Sequence, residues 1–324
     1  MSREQATRAR GLWHVGGGRI ELREETLAPA ETRVRALFSA VSRGTERLVH
    51  QGRVPESERA RMRGPHMGGA FPFPVKYGYA WVGLVEAGPE ALIGRHVFAL
   101  HPHQTRAALP ADALHLLPEG LPPARATLAA NMETALNALW DGGAVAGDRC
   151  VVVGAGPLGV LTAALLARLP GAEVAVIDKL AERADITRLF GAEFRRPEEA
   201  PRECDVAFHC SASAAGLATA LEALGDEGTL VEMSWHGAGE TPAPLGGAFH
   251  SRRLRIVSSQ VGALPPARRP RWSRRRRLAT ALRLLLDPRY DALLGPPIPF
   301  EATPARLPAL LSGPPSGLAP LIAY

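Results

Sequence analysis

Between Arg149 and Ser259 the apolar residues fall in short unbroken runs separated by stretches of helix-forming composition. Cys150–Val153, Val174–Ile177 and Val206–Phe208 are continuous, without polar alternation, which predicts strands covered on both faces, as in a parallel sheet. After the first of them, Leu158-Gly-Val-Leu-Thr-Ala-Ala-Leu-Leu-Ala-Arg-Leu169 is a strong helix former. The same pattern predicts helices near Glu182–Phe190 and Ala214–Leu224, and strands at Glu173–Asp178, Glu193–Arg195, Asp205–Cys210, Gly228–Ser234 and Leu254–Ser259. Strand and helix alternate throughout, so the expected class is α/β with a doubly wound parallel sheet.

Upstream the pattern changes. Within residues 19–120, short alternating runs such as Arg33–Phe38 and Arg95–Leu100 are broken by Gly and Pro, which predicts a β-rich irregular barrel. Apolar helix residues from Ala124 to Leu139 bridge the two parts. From about Arg277 the chain predicts one helix and a closing strand near Leu318–Tyr324, with Pro265–Pro270 and Pro296–Pro299 as loops. A chain of 324 residues exceeds what one core usually serves. We therefore expect a β-rich domain over 1–125 completed by 262–324, and a second domain over 126–261.

The turn after the first strand is Gly154-Ala-Gly-Pro-Leu-Gly159, and Asp178 ends the next strand about 20 residues on. Gly154 permits a tight turn, Gly156 lets the backbone approach a pyrophosphate, and Gly159 lets the helix pack on the strand. Pro157 and Leu158 open that helix, whose N-terminal N–H groups suit phosphates. Asp178 is placed to accept ribose hydroxyls. This predicts a dinucleotide site that favours NAD, while the neighbouring Lys179 and Arg183 leave NADP open. Ser211 and Ser234 close strands whose carboxyl ends face the ligand crevice of such a sheet.

The net charge of +6 reflects an arginine surplus, with Lys76 and Lys179 the only lysines. The densest basic run, Arg268–Arg277, reads as a solvated loop and helix start, so a small-molecule substrate is expected and nucleic acid is not. Cys150, Cys204 and Cys210 show no paired spacing and read as buried thiols in a reducing setting. The polar N-terminus lacks a secretory apolar stretch, and no apolar run reaches membrane-spanning length. A cytoplasmic location without a membrane partner is expected.

Several further segments carry a family resemblance: Ser39-Ala-Val-Ser-Arg-Gly-Thr-Glu46, Tyr77-Gly-Tyr-Ala-Trp-Val-Gly-Leu-Val85, Gly94-Arg-His-Val-Phe98 and Asn131-Met-Glu-Thr-Ala-Leu-Asn137. With the glycine turn they resemble the medium-chain dehydrogenase/reductase superfamily, the alcohol dehydrogenase-like proteins. The Ser-Arg-Gly-Thr-Glu form is similar to the bacteriochlorophyllide dehydrogenase-like branch. The resemblance implies a Rossmann domain plus a GroES-like barrel, a homodimer, Thr134 near the cofactor, and oxidoreductase chemistry between the domains. It also implies a zinc ion, which needs about three Cys, His or carboxylate ligands. The corresponding positions here hold Ser42 or Arg43, Tyr79 and Ala130, and no cysteine precedes Cys150. No zinc is expected at either family site, and no metal residue is assigned.

Proton transfer then falls to side chains. Tyr79 stands at the zinc-histidine position, as either a substrate contact or a packing residue. His101 and His103 flank a proline after a barrel strand, and histidine suits acid/base work. Glu133, one helical turn past Ala130, either points toward the nicotinamide region or pairs with an arginine. Glu46, Thr45, Trp235 and Trp272 are further candidates. The expected activity is a zinc-independent, NAD-preferring hydride transfer between nicotinamide and a carbonyl/alcohol centre. Its rivals are an NADPH-dependent quinone or enoyl (C=C) reductase and a non-catalytic nucleotide-binding or sensing protein.

Overall fold

The structure is a computed structural model that describes residues 7–314 and 318–324. Residues 1–6, part of the N-terminus read above for a secretory signal, lie outside the described residues. The chain divides into two units, one of Met1–Ala130, Leu282–Tyr290 and Leu294–Tyr324, the other of Asn131–Ala281 and Asp291–Leu293.

The second unit holds a six-stranded parallel sheet. Numbered along the chain, its strands Arg149–Val153, Glu173–Ile177, Glu193–Arg195, Cys204–His209, Leu224–Glu232 and Arg255–Ser258 lie in the order 3-2-1-4-5-6. Val151 and Val152 are fully buried at its centre, each contributing roughly 1.5–3 kcal/mol of hydrophobic stabilisation. Helices Pro157–Leu166 and Ala214–Glu222 follow the first and fourth strands, and Leu217, Ala220 and Leu221 join the core formed by Val151, Ile177 and Leu230.

Some boundaries differ from expectation. The helix over Glu182–Phe190 is a 3-10 turn, Ala181–Arg183, followed by a short α-helix, Ala184–Leu189. The fifth strand runs Leu224–Glu232, so Ser234 lies two residues beyond it. The bridging helix is broken in two, Pro123–Ala126 and Ala129–Gly142. Residues up to Ala281 belong with this sheet, past the expected boundary at 261, because Arg277 is anchored there. Its Nε donates to Glu133 Oε1 at 3.0 Å and its other nitrogens reach Asn137 and the Val261 carbonyl. One member of the basic run is thus buried, at 2% exposure, and not solvated.

The first unit carries two sheets. Arg19–Thr26, Arg8–Gly16, Val75–Lys76 and Gly68–Gly69 form one, all antiparallel. The other places Thr32–Ala40 between Ala319–Ala323 and Trp81–Ala87, with His96–Ala99 and His115–Leu116 beyond and Arg106–Leu109 also on Thr32–Ala40. Pro296–Pro299, expected as loop, lies within the strand Leu294–Pro299. That strand is at the sheet edge, where a missing N–H costs no ladder bond. A second C-terminal helix, Thr303–Ser312, was not expected: Pro308 inside it disguises the pattern, while Pro304 in its first turn and the buried Leu307 and Leu311 support it.

The three cysteines are free, Cys150 and Cys204 buried and Cys210 half-buried. Among the described residues no helix is long and apolar enough to cross a membrane.

Candidate active site

In the second unit the glycine turn has the shape that a nucleotide needs. Gly154 adopts φ +109°, and a Cβ there would meet the Ser211 backbone N at 2.9 Å. A Cβ on Gly159 would fall 1.8 Å from the Gly154 carbonyl oxygen, so only glycine allows the helix this close. Gly156 caps the helix Pro157–Leu166, and nothing lies within 4 Å of where its Cβ would be. That open space at a helix N-terminus fits a pyrophosphate. Asp178 is 9% exposed: its Oδ2 accepts from the Ala155 N–H at 2.7 Å and from Arg183 Nη1 at 2.9 Å, and its Oδ1 from the Leu180 N–H at 2.9 Å. Lys179 is exposed beside it, while Ser211 is exposed and Ser234 half-buried at the ends of their strands.

In the first unit a chain of hydrogen bonds crosses the middle of the larger sheet. Ser39, paired in register with Trp81 and Ile322, is fully buried. Its Oγ lies 2.9 Å from the Tyr324 hydroxyl and 2.7 Å from His103 Nδ1, and His103 Nε2 lies 2.9 Å from Glu46 Oε2. With Glu46 ionised, one assignment satisfies every group: Tyr324 donates to Ser39, Ser39 to Nδ1, and Nε2–H to the carboxylate. Glu46 Oε1 accepts the Ser42 N–H at 2.8 Å, where the helix Arg43–His50 begins. Gly78, at φ +128°, lets the chain pass the imidazole, since a Cβ there would be 2.9 Å from His103 Nε2.

Tyr79, half-buried, is hydrogen-bonded to the side chains of Ser42 and Thr45. Desolvation pushes its phenol up to about 12; the bonds to Ser42 and Thr45 oppose that, and the Glu46 charge adds to it.

No family model matches the chain. A curated relative, D-guloside 3-dehydrogenase of Escherichia coli K12, is 25% identical over 317 residues, covering 88% of this chain and 90% of the relative. L-idonate 5-dehydrogenase from Escherichia coli superposes with a TM-score of 0.80 at 14% identity, covering 99% of both chains. A short chain alcohol dehydrogenase from Escherichia coli complexed with NADH gives 0.76 at 14% identity, over 98% of this chain and 100% of that one. The chain has the fold of the medium-chain dehydrogenases/reductases.

A zinc-bearing protein of that fold would present ligands at the positions that here hold Ser42 or Arg43, Tyr79 and Ala130. Those side chains do not fit the ion: an alanine offers no donor atom, and the Tyr79 phenol is engaged by Ser42 and Thr45. The glycine turn does fit a nucleotide, as its geometry shows.

The remaining candidates scatter. His101 is buried against the rings of His66 and Trp81, with Nδ1 on the Pro102 carbonyl, and desolvation lowers it to about 3. A ring this hard to protonate has little acid to offer near neutrality. Glu133 is buried in its pair with Arg277; burial raises its carboxyl and the guanidinium opposes that. Thr134 follows it on the same helix. Trp272 packs on Trp140, with ring centroids 4.6 Å apart, under the Arg276 guanidinium. Trp235 is half-buried.

Sequence reasoning missed Ser39 and Tyr324, 285 positions apart, which only the sheet pairing brings together. It also missed a group in the second unit: His209 Nδ1 lies 2.7 Å from Glu232 Oε2, and His236 Nε2 3.6 Å from the same oxygen. The Glu-x-x-x-His spacing of Glu232 and His236 was the available signal.

Proposed function

We propose that this protein is a zinc-independent oxidoreductase that uses NAD(H) to interconvert a secondary alcohol and a ketone on a small polyol- or sugar-like substrate, with Tyr79 handling the proton. The observation that carries the reading is the Tyr79 phenol held by Ser42 and Thr45 where relatives would hold zinc. The names of the guloside and idonate dehydrogenases support the substrate class. A bound nicotinamide supplies or accepts the hydride at the substrate carbon.

The chain's own part is binding and proton transfer. Gly154–Gly159 and Asp178 hold the nucleotide, with Thr134, Ser211 and Ser234 as accessory contacts. Because its pKa stands near 12, Tyr79 is a neutral phenol at pH 7, ready to donate to the alkoxide oxygen formed as a ketone is reduced. The reverse reaction needs the phenolate, so oxidation accelerates with rising pH while reduction does not. The buried Glu46–His103–Ser39 relay positions Ser42 and holds a negative charge near the phenol. A homodimer in the cytoplasm completes the proposal.

A second reading, reduction of an activated C=C bond with NADPH, is favoured by one observation: Arg183 sits 2.9 Å from Asp178 and offsets the carboxylate that would repel a 2′-phosphate. Steady-state assays of ketones, secondary alcohols and enones with each nucleotide decide between them. Tyr79→Phe is expected to lower ketone reduction by roughly 10²–10⁴-fold with little change in nucleotide affinity. An unchanged kcat removes Tyr79 from the mechanism, and an NADPH preference with enone turnover selects the second reading.

A further inference from the structure

We propose that the second unit binds one divalent transition-metal ion of the zinc class through His209, Glu232 and His236, none of which stands at a family zinc position. The inference does not rest on the dehydrogenase reading. His209 and Glu232 end adjacent parallel strands and are direct partners in register, so the sheet itself sets their side chains together at its carboxyl edge. His236, four residues further on, returns its Nε2 to within 3.6 Å of the Glu232 oxygen that His209 Nδ1 approaches at 2.7 Å. One ligand atom from each residue lies within 4.8 Å of the other two. In a tetrahedral zinc site the ligand atoms stand roughly 3.3 Å apart, a value that the two pair distances straddle.

The outer contacts are in place as well. His209 Nε2 lies 2.8 Å from Ser211 Oγ, and Glu232 Oε1 accepts the Ser234 N–H at 2.7 Å. Those bonds occupy the far atoms of His209 and Glu232 and leave their Nδ1 and Oε2 turned to the shared point, the arrangement that orients metal ligands elsewhere. His209 is sealed, whereas the His236 and Glu232 side chains are 21% and 18% exposed, which gives an ion a way in and a water a fourth position. Two imidazoles and one carboxylate suit zinc, cobalt or nickel better than calcium or magnesium. The order Glu232–His209–Ser211 is also that of a relay activating a serine hydroxyl. The metal is favoured because His236 has no part in such a relay and yet sits on its carboxylate.

The experiment titrates the full chain, stripped with a chelator, with Co²⁺ followed by visible absorption and with Zn²⁺ followed by calorimetry. One ion per chain at micromolar or tighter affinity is expected, weakened about tenfold or more in His236→Ala and in Glu232→Gln. His236→Ala, at a half-exposed position, keeps the test informative if the strand variant fails to fold. Affinity unchanged in His236→Ala, or no saturable binding of either ion below about 1 mM, overturns the site. So does labelling of Ser211 by a fluorophosphonate at equal rates with and without Zn²⁺. Failure of ketone reduction bears on the dehydrogenase reading alone, because every readout here is binding.

Discussion

Each unit of this chain places a histidine between a carboxylate and a serine hydroxyl, and the two arrangements differ in what closes them. In the first unit His103 and Glu46 are sealed, 0% and 2% exposed, and Ser39 is closed off by Tyr324. In the second, His209 is equally buried, but Glu232 is open on one side and a second histidine stands there. The sealed set has every polar atom spoken for, so it has no capacity for a ligand and acts by fixing Ser42 and biasing Tyr79. The half-open set keeps a carboxylate oxygen turned toward two imidazoles. The same three residue types thus give a scaffold when closed and a site when one side is left to solvent.

Removing the histidine from each set is the sharpest way to break the comparison. His103→Ala leaves Glu46 as a buried carboxylate with only the Ser42 N–H, and about 3–5 kcal/mol of stability is expected to go. The matching change at His209 leaves Glu232 with solvent, the Ser234 N–H and the nearby His236, so a smaller loss, on the order of 1–3 kcal/mol, is expected. Urea unfolding of both variants measures the difference. Equal losses would show that exposure of the carboxylate does not separate the two sets.

Acid probes the first unit in a second way. His14 and His101 are both lowered to about 3, chiefly by desolvation, with His50 adding repulsion at His14 and His66 at His101. Folded, they stay neutral; unfolded, they take a proton near 6.5, so acid favours the unfolded chain. The loss begins below about pH 6.5 and stops growing near pH 3, and at pH 5 each contributes about 2 kcal/mol of destabilisation. Replacing His101 by Gln should flatten the fall of Tm between pH 7 and pH 5. A slope unchanged by the substitution would mean that the ring is protonated in the folded state.

The glycine turn was legible in the sequence because its parts are local. Gly154 to Asp178 is one strand, turn, helix and strand, and each glycine's role follows from its place in the turn. The central strands could be read from their unbroken apolar runs, since a parallel sheet buries both faces. The two histidine sets could not be read this way. His103 meets Glu46 across 57 positions where a connecting segment reaches a helix, and His209 meets Glu232 across 23 through strand register, neither of which spacing along the chain reports. Arg277 was lost for a related reason: in a run of arginines nothing marks the one whose partner, Glu133, lies 144 positions away.

A smaller effect is expected at Asp178. Its carboxylate organises the turn through the Ala155 and Leu180 N–H groups, so Asp178→Asn keeps one acceptor, turns its NH2 against the other N–H and loses the charge that pairs with Arg183. The KM for NAD should rise by roughly tenfold, about 1.4 kcal/mol, and discrimination against NADP should narrow because Arg183 is released toward a phosphate. A KM unchanged for both nucleotides would place the ribose elsewhere.

The smallest effect closes the comparison on its open side. In chelator-treated protein, His236→Ala should shift stability by no more than about 0.5 kcal/mol, because the side chain is partly exposed and 3.6 Å from Glu232, beyond ordinary hydrogen-bond length. A loss that small would mean that neither the stacking of His236 on the His209 ring nor its approach to Glu232 holds the empty fold together. A loss of about 2 kcal/mol or more without metal would make His236 a structural member of the set. The two units would then differ in exposure alone and no longer in function.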